Sequence, residues 1–188
     1  MKYLTLQLIA ALLLVQAQPV LAEAVRFYFE VRKDQTVRFK WWPDEWQPMQ
    51  IGFRLERQDS ESGGWKTVGP DVIQPDLTEE RLQRDGLDAV LEAQDDFTSD
   101  ELTPPEIIEK ITGDAKTFKK IRILASKHED WQAALALGWQ DSWAPKEKGT
   151  TVNYRLRRVF NDAGETTLAT VATQAVKFDP EVIPAPDL

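Results

Sequence analysis

The chain has 188 residues, with 31 Asp and Glu against 23 Lys and Arg, a formal net charge of -8, and no cysteine. The acidic surplus repels nucleic acid and anionic lipid headgroups, so nucleic-acid binding is not expected. Without cysteine there is neither disulfide stapling nor a lipid-modified N-terminal cysteine, and the fold must hold by packing alone.

Residues 1–22 read as a secretory signal peptide. Lys2 supplies a positive start, residues 8–15 form an apolar stretch too short to span a bilayer, and Val20-Leu21-Ala22 is a small-residue cleavage pattern. The competing reading, an uncleaved anchor helix, is disfavoured because the apolar run ends at Ala22 and charged Glu23 follows. Removal leaves 188 minus 22, or 166 residues, enough for one domain, and losing Lys2 takes the net charge from -8 to -9. No later stretch is apolar enough to cross a membrane. The expected location is the periplasm, the cell surface or the medium of a bacterium, with the folded unit over residues 23–178.

Strand patterns come first in the mature chain. Val25, Phe27, Phe29 and Val31 alternate with polar residues or tyrosine, and after Lys33-Asp34-Gln35 the pattern resumes with Val37, Phe39 and Trp41. Ile51, Phe53 and Leu55 alternate with Gly52, Arg54 and Glu56, and Ser62-Gly63-Gly64 turns the chain into a strand at residues 65–68. One wet face per strand suits antiparallel sheets.

Residues 76–138 carry helix punctuation instead. Asp76-Leu77-Thr78-Glu79 caps a first helix carrying Leu82, Leu87, Val90 and Leu91, weakened by Gly86. Thr103-Pro104-Pro105-Glu106 is a capping box with proline at the first helical position, followed by Ile107, Ile108, Ile111 and a closing Gly113. Phe118, Ile121, Leu124 and Ala125 mark another helix. Ser126-Lys127-His128-Glu129 reads as a second capping box, ahead of Trp131, Ala134, Leu135 and a terminating Gly138. Strands return with Val152, Tyr154 and Leu156, a turn at Asn161-Asp162-Ala163-Gly164, and a β-branched run over residues 166–176. Residues 179–188, with Pro180, Pro184 and Pro186, read as an extended tail or linker.

Four stretches together resemble the fibronectin type III family. Val37-Arg38-Phe39-Lys40-Trp41-Trp42-Pro43 is similar to its second strand, with Trp41 as the core tryptophan. The run from Ile51 to Arg57, continuing through Gly63-Gly64-Trp65-Lys66-Thr67-Val68, resembles its third strand and the following hairpin. Trp139-Gln140-Asp141 with the run from Gly149 to Arg157 resembles its fifth and sixth strands, Tyr154 lying at the buried family tyrosine, and Asn161-Asp162-Ala163-Gly164-Glu165 resembles the last turn. The resemblance implies a mainly β, immunoglobulin-like antiparallel sandwich with a helical insertion, residues 76–138, between the fourth and fifth strands. It implies no catalytic residue and no cofactor. Function must be argued from a site.

Catalytic chemistry is sparse. His128 is the single histidine, so zinc would need three carboxylates around one imidazole, and a triad has no Gly-x-Ser-x-Gly elbow. Neither a dinucleotide-type glycine loop nor a Walker lysine occurs. A carboxylate-based glycoside-processing enzyme is the weakest reading; Asp95-Asp96 and Asp100-Glu101 lack the glycine turn of a calcium loop. Seven tryptophans are the unusual feature. Trp41, Phe53, Trp65 and Tyr154 are expected in the core and Trp131 on a helix stripe. Trp42, Trp46, Trp139 and Trp143 either form an exposed ligand platform, which would suit a polysaccharide, or glue the helices to the sandwich. The leading expectation is a non-catalytic exported interaction, adhesion or scaffold module, which meets a protein or surface partner through the helical segment and end loops.

Overall fold

The computed structural model describes residues 25–32, 36–84, 103–126, 128–143 and 149–178. The leader at 1–22, the turn at 33–35, Leu87, Val90 and Leu91, the acidic pairs at 95–96 and 100–101, and the tail at 179–188 lie outside these residues. Among the described residues no helix is long and apolar enough to cross a membrane.

The protein is mainly β, with two antiparallel sheets forming a β-sandwich. Strands β1 (Arg26–Val31), β2 (Val37–Trp42) and β5 (Gly138–Asp141) make a three-stranded sheet in the order β1-β2-β5. Strands β3 (Gln50–Gln58), β4 (Lys66–Ile73), β6 (Thr151–Asp162) and β7 (Glu165–Lys177) make a four-stranded sheet in the order β4-β3-β6-β7. Between β4 and β5 the chain forms α1 (Glu79–Arg84), α2 (Pro104–Gly113), α3 (Ala115–Ala125) and α4 (Glu129–Ala134).

The alternation that marks each strand also builds the core. Val37, Phe39 and Trp41 from one sheet face Phe53, Leu55, Tyr154 and Leu156 from the other, all fully buried. Phe39 and Tyr154 ring centres are 4.5 Å apart and Trp41 and Phe53 5.6 Å apart, so large aromatics bridge the sheets. The core continues into the helices without a break, taking in Ile107, Ile111, Phe118, Ile121 and Trp131.

Several local expectations need correction. Trp65 is not a core residue: it is half-buried and precedes β4. Val68 is the inward residue opposite Leu55, and a side chain three positions earlier on extended backbone points to the other face. There its ring lies 4.3 Å below the Arg155 guanidinium carbon. The box at Ser126 does not form either. The Ser126 hydroxyl donates to the Ile123 carbonyl at 2.6 Å, closing α3, and α4 begins beyond His128, which is its exposed N-cap. Nor is Gly138 the terminator of α4. Ala136 adopts the left-handed conformation (φ 53°) while Leu137 N–H donates to Gln132 at 2.7 Å and Ala136 N–H to Ala133 at 3.2 Å, a Schellman closure made with alanine. Gly138 instead opens β5, where a side chain would press on the Phe39 carbonyl.

The other N-terminal caps follow the pattern expected of them, whereas Gly113 does not close α2: it is the last helical residue, and Asp114 in extended conformation is the C-cap. Glu106 accepts the Thr103 backbone N–H at 2.7 Å and hydroxyl at 2.6 Å, and these bonds hold its carboxyl below the usual carboxylate range. Thr78 accepts Arg81 N–H at 3.1 Å to start α1, with Leu77 buried behind it.

Candidate interaction surface

The helices are anchored at the end of the sandwich where β2 finishes and β3 begins. Trp41 is the centre of that attachment: its indole N–H donates to the Ala136 carbonyl at 2.7 Å, and its backbone N–H to Leu137 at 3.0 Å. Gln132, also buried, spans α4 and α3 by donating to the Ala125 carbonyl at 2.9 Å and accepting from Arg38 at 3.4 Å. Arg38 additionally pairs with Glu129. On α3, Arg122 donates to the Pro43 carbonyl and to Asp44 at 3.1 Å, so the helix is tied to the β2–β3 loop.

Those attachments decide which face of α3 is left for solvent. Phe118, Ile121 and Ala125 turn inward, and Phe118 meets the edge of Trp46 at 6.1 Å between ring centres. Lys116, Lys119, Lys120 and Ile123 are exposed, a spacing that lines them along one side of the helix. With Arg122 the helix has four cations and no Asp or Glu in 11 residues, on a chain whose net charge is -8. The apolar stripe of this helix marks its inward face in the sequence, and the charge sign of the lysines against the acidic average is the signal that marks the outward one.

The four candidate platform tryptophans are all partly buried against the core, and the structure does not gather them. Trp46 donates to the Gln50 carbonyl at 2.8 Å and meets Phe53 edge-on, wedged between the sheet and α3. Trp42 ends β2, opposite Arg26. Trp139 lies on β5 against Gly69 of β4, where it fills the gap between the two sheets. Trp143 follows β5 at the other end of the sandwich, with the Arg57 guanidinium carbon 3.9 Å above its ring and Phe178 at its edge.

At that far end a polar knot joins the sheets. The buried carboxylate of Asp141 on β5 accepts Arg57 at 2.6 Å, the Tyr154 hydroxyl at 2.9 Å and the Trp143 backbone N–H at 3.0 Å. Arg57 also donates to Asp59 at 2.6 Å, and Lys66 completes the chain at 2.6 Å. Burial pulls the Arg57 guanidinium towards neutrality, but its bonds to Asp141 and Asp59 outweigh this and raise it. Burial of Asp59 is likewise outweighed by Lys66 and Arg57, which hold its carboxyl low. Each charge is compensated, so the knot is a structural fastening rather than a poised acid or base. Among the described residues no three His, Asp or Glu side chains gather as a metal site.

Searches against family models, curated proteins and solved structures return no match to this chain.

Proposed function

We propose that the protein is an exported, non-catalytic interaction module on a fibronectin type III scaffold, holding a protein or cell-surface partner against its helical segment. The scaffold reading draws support from strand pairing. The constant-type immunoglobulin arrangement puts its fourth strand beside the first sheet, whereas here β4 pairs with β3, as the resemblance of the hairpin around Gly63-Gly64 implies. The burial of Trp41 and Tyr154 also supports this reading. On this reading residues 76–138 are an insertion, and the leader pattern at residues 1–22 directs export.

The observation that carries the binding reading is the outward face of α3. A helix pinned by Arg122, by Gln132 at its last turn and by Trp46 against Phe118 offers a rigid surface, so a partner loses little entropy in ordering it. Its lysines select an acidic partner surface, and exposed Ile123 adds an apolar contact at the end of the row.

The test compares wild type with the Lys116→Glu, Lys119→Glu, Lys120→Glu triple variant as bait against the envelope fraction. A partner retained by wild type and released by the variant, with unchanged circular dichroism, supports the reading. Identical captures by both proteins remove α3 as the recognition surface.

A further inference from the structure

We propose that β1 is a self-pairing edge, through which two copies of the chain join their three-stranded sheets into one continuous six-stranded sheet. β1 lies at the outside of its sheet, with β2 on one side only. Natural edge strands are commonly blunted by proline, lysine or a bulge. β1 has none of these, and its register with β2 runs unbroken over six residue pairs.

The strand is also apolar where it should be wet. Tyr28, Phe29 and Val31 are 49%, 39% and 37% exposed, and three of the five exposed large hydrophobic residues among those described fall on this one strand. The inward row Val25, Phe27, Phe29, Val31 is covered at its first half, where Phe27 stacks on Phe39 at 5.4 Å, and uncovered at its second. A neighbour that brings a covered first half alongside the uncovered second half would complete the row.

A second copy does this because the sequence Val25-Arg26-Phe27-Tyr28-Phe29-Glu30-Val31 is a palindrome in chemical character. Antiparallel pairing about a two-fold axis through Tyr28 puts Phe27 opposite Phe29 and Val25 opposite Val31, each twice, on the inner side. On the outer side Arg26 faces Glu30, twice, and Tyr28 faces its own copy. Shifting the register by one residue on each strand would set Arg26 against Arg32 and separate it from Glu30, so charge selects the first arrangement. Among the described residues neither Arg26 nor Glu30 forms a salt bridge, and both are exposed. Glu30 has Arg38 opposite it on β2, so its carboxylate would lie between two cations.

The backbone is oriented for this contact. Phe27 carbonyl accepts the Gln174 side-chain amide of β7 at 3.3 Å, which shows that it points away from β2. Peptide groups alternate along a strand, so those of Phe29 and Val31 point the same way, and Phe27 and Phe29 of opposite copies would exchange hydrogen bonds. Gln174 has to swing aside, a change within the reach of a long side chain, and the second copy has to fit beside β7, which comes close to β1 on this side.

Sedimentation velocity on the full mature chain tests this across about 1 μM to about 1 mM, the range in which small interfaces dissociate. Wild type is expected to shift from monomer to dimer with concentration. Arg26→Glu or Glu30→Arg alone sets like charges opposite each other at both pairs and is expected to weaken dimerisation by at least about tenfold. The double reversal Arg26→Glu, Glu30→Arg restores it, while Gln174→Ala leaves it intact. Both charged positions are exposed, so circular dichroism should be unchanged in every variant. A wild type that stays monomeric throughout, or a dimer indifferent to the single reversals, overturns the proposal. So does a double reversal no better than the singles.

Discussion

The Tyr154 hydroxyl lies 2.9 Å from Asp141 Oδ2, the same oxygen that Arg57 Nη1 approaches at 2.6 Å, so one carboxylate ties β6 and β3 to β5 across the sandwich. Burial, and next the charge of Asp141, push the Tyr154 phenol well above its ordinary value. Above about pH 10 the unfolded chain releases this proton and the folded chain keeps it, so stability falls as pH rises, by about 1.4 kcal/mol per unit from this group. Tyr154→Phe is expected to lose about 1.5–3 kcal/mol at pH 7, the range for a hydrogen bond to a charged partner, and to show a shallower decline in alkali. Urea denaturation of both proteins between pH 7 and 11 checks it. Parallel alkaline slopes would mean the phenol titrates alike in both states.

Asp141→Ala tests the other half of the knot. It strands the Arg57 guanidinium, whose side chain is only 12% exposed, beside Trp143 with one carboxylate fewer. Breaking a buried pair from one side costs about 3–5 kcal/mol. Arg57→Met with Asp141→Leu removes both charges and is expected to recover part of the loss in the same denaturation assay, the Tyr154 hydroxyl and the Trp143 N–H still lacking their acceptor.

Gly69 and Trp139 form a second closure between the sheets. β3 and β4 lose register between Phe53 and Leu55, and Gly69 in that bulge has φ 78°. A Cβ there would lie 2.5 Å from the indole of Trp139. Gly69→Ala therefore combines about 1–2 kcal/mol of left-handed strain with displacement of the ring. Adding Trp139→Ala should relieve the second part, so the double variant loses less than the sum of the singles by about 1 kcal/mol. Thermal denaturation of all four proteins measures that coupling. Strict additivity would mean the ring gives way freely.

Much of the sandwich was legible because a strand with one wet face alternates visibly. Trp41, Phe53 and Tyr154 are fully buried on that alternation, and Ile107 and Ile111 on the helical period. Trp65 falls on a strand pattern that predicts a core position, but its parity relative to the inward Val68 sends it out. The Asp141 knot left no local trace. Arg57 and Asp141 are 84 residues apart, each reads as an ordinary charged strand residue, and only the packed sheets bring them together. The Ala136 closure was hidden for a different reason. Left-handed closure normally advertises itself with glycine, and here tertiary bonds from Trp41 hold an alanine in that conformation.

Two similar serine/threonine patterns should now behave differently. Thr103→Ala removes the hydroxyl from a formed box and is expected to cost about 1 kcal/mol, and Glu106→Ala a comparable amount. Ser126→Ala removes only a back-bond to Ile123 at the end of α3 and should change stability by less than about 0.5 kcal/mol. Equal losses at both places, in chemical denaturation at pH 7, would restore the second box.

Met49 offers a substitution of the opposite sign. Gln50 N–H donates to the Gln47 carbonyl at 3.1 Å, closing a four-residue turn with Pro48 and Met49 at its centre. Proline followed by a residue of positive φ is the pattern of a type II turn, which reserves its third place for glycine or asparagine. Met49 sits there at φ 60° and is 57% exposed, so little burial offsets the backbone strain of about 1–2 kcal/mol. Glycine would remove that strain and return part of it as greater freedom of the unfolded chain. Met49→Gly is thus expected to stabilise by about 0.5–1 kcal/mol, raising the melting temperature by about 1–4 °C in a chain of this size. The turn's backbone bonds are unaffected, including the one from Asn161 N–H to the Met49 carbonyl at 3.0 Å that ties the loop to β6. A lower melting temperature would show that the added freedom of the unfolded chain outweighs the relief of strain.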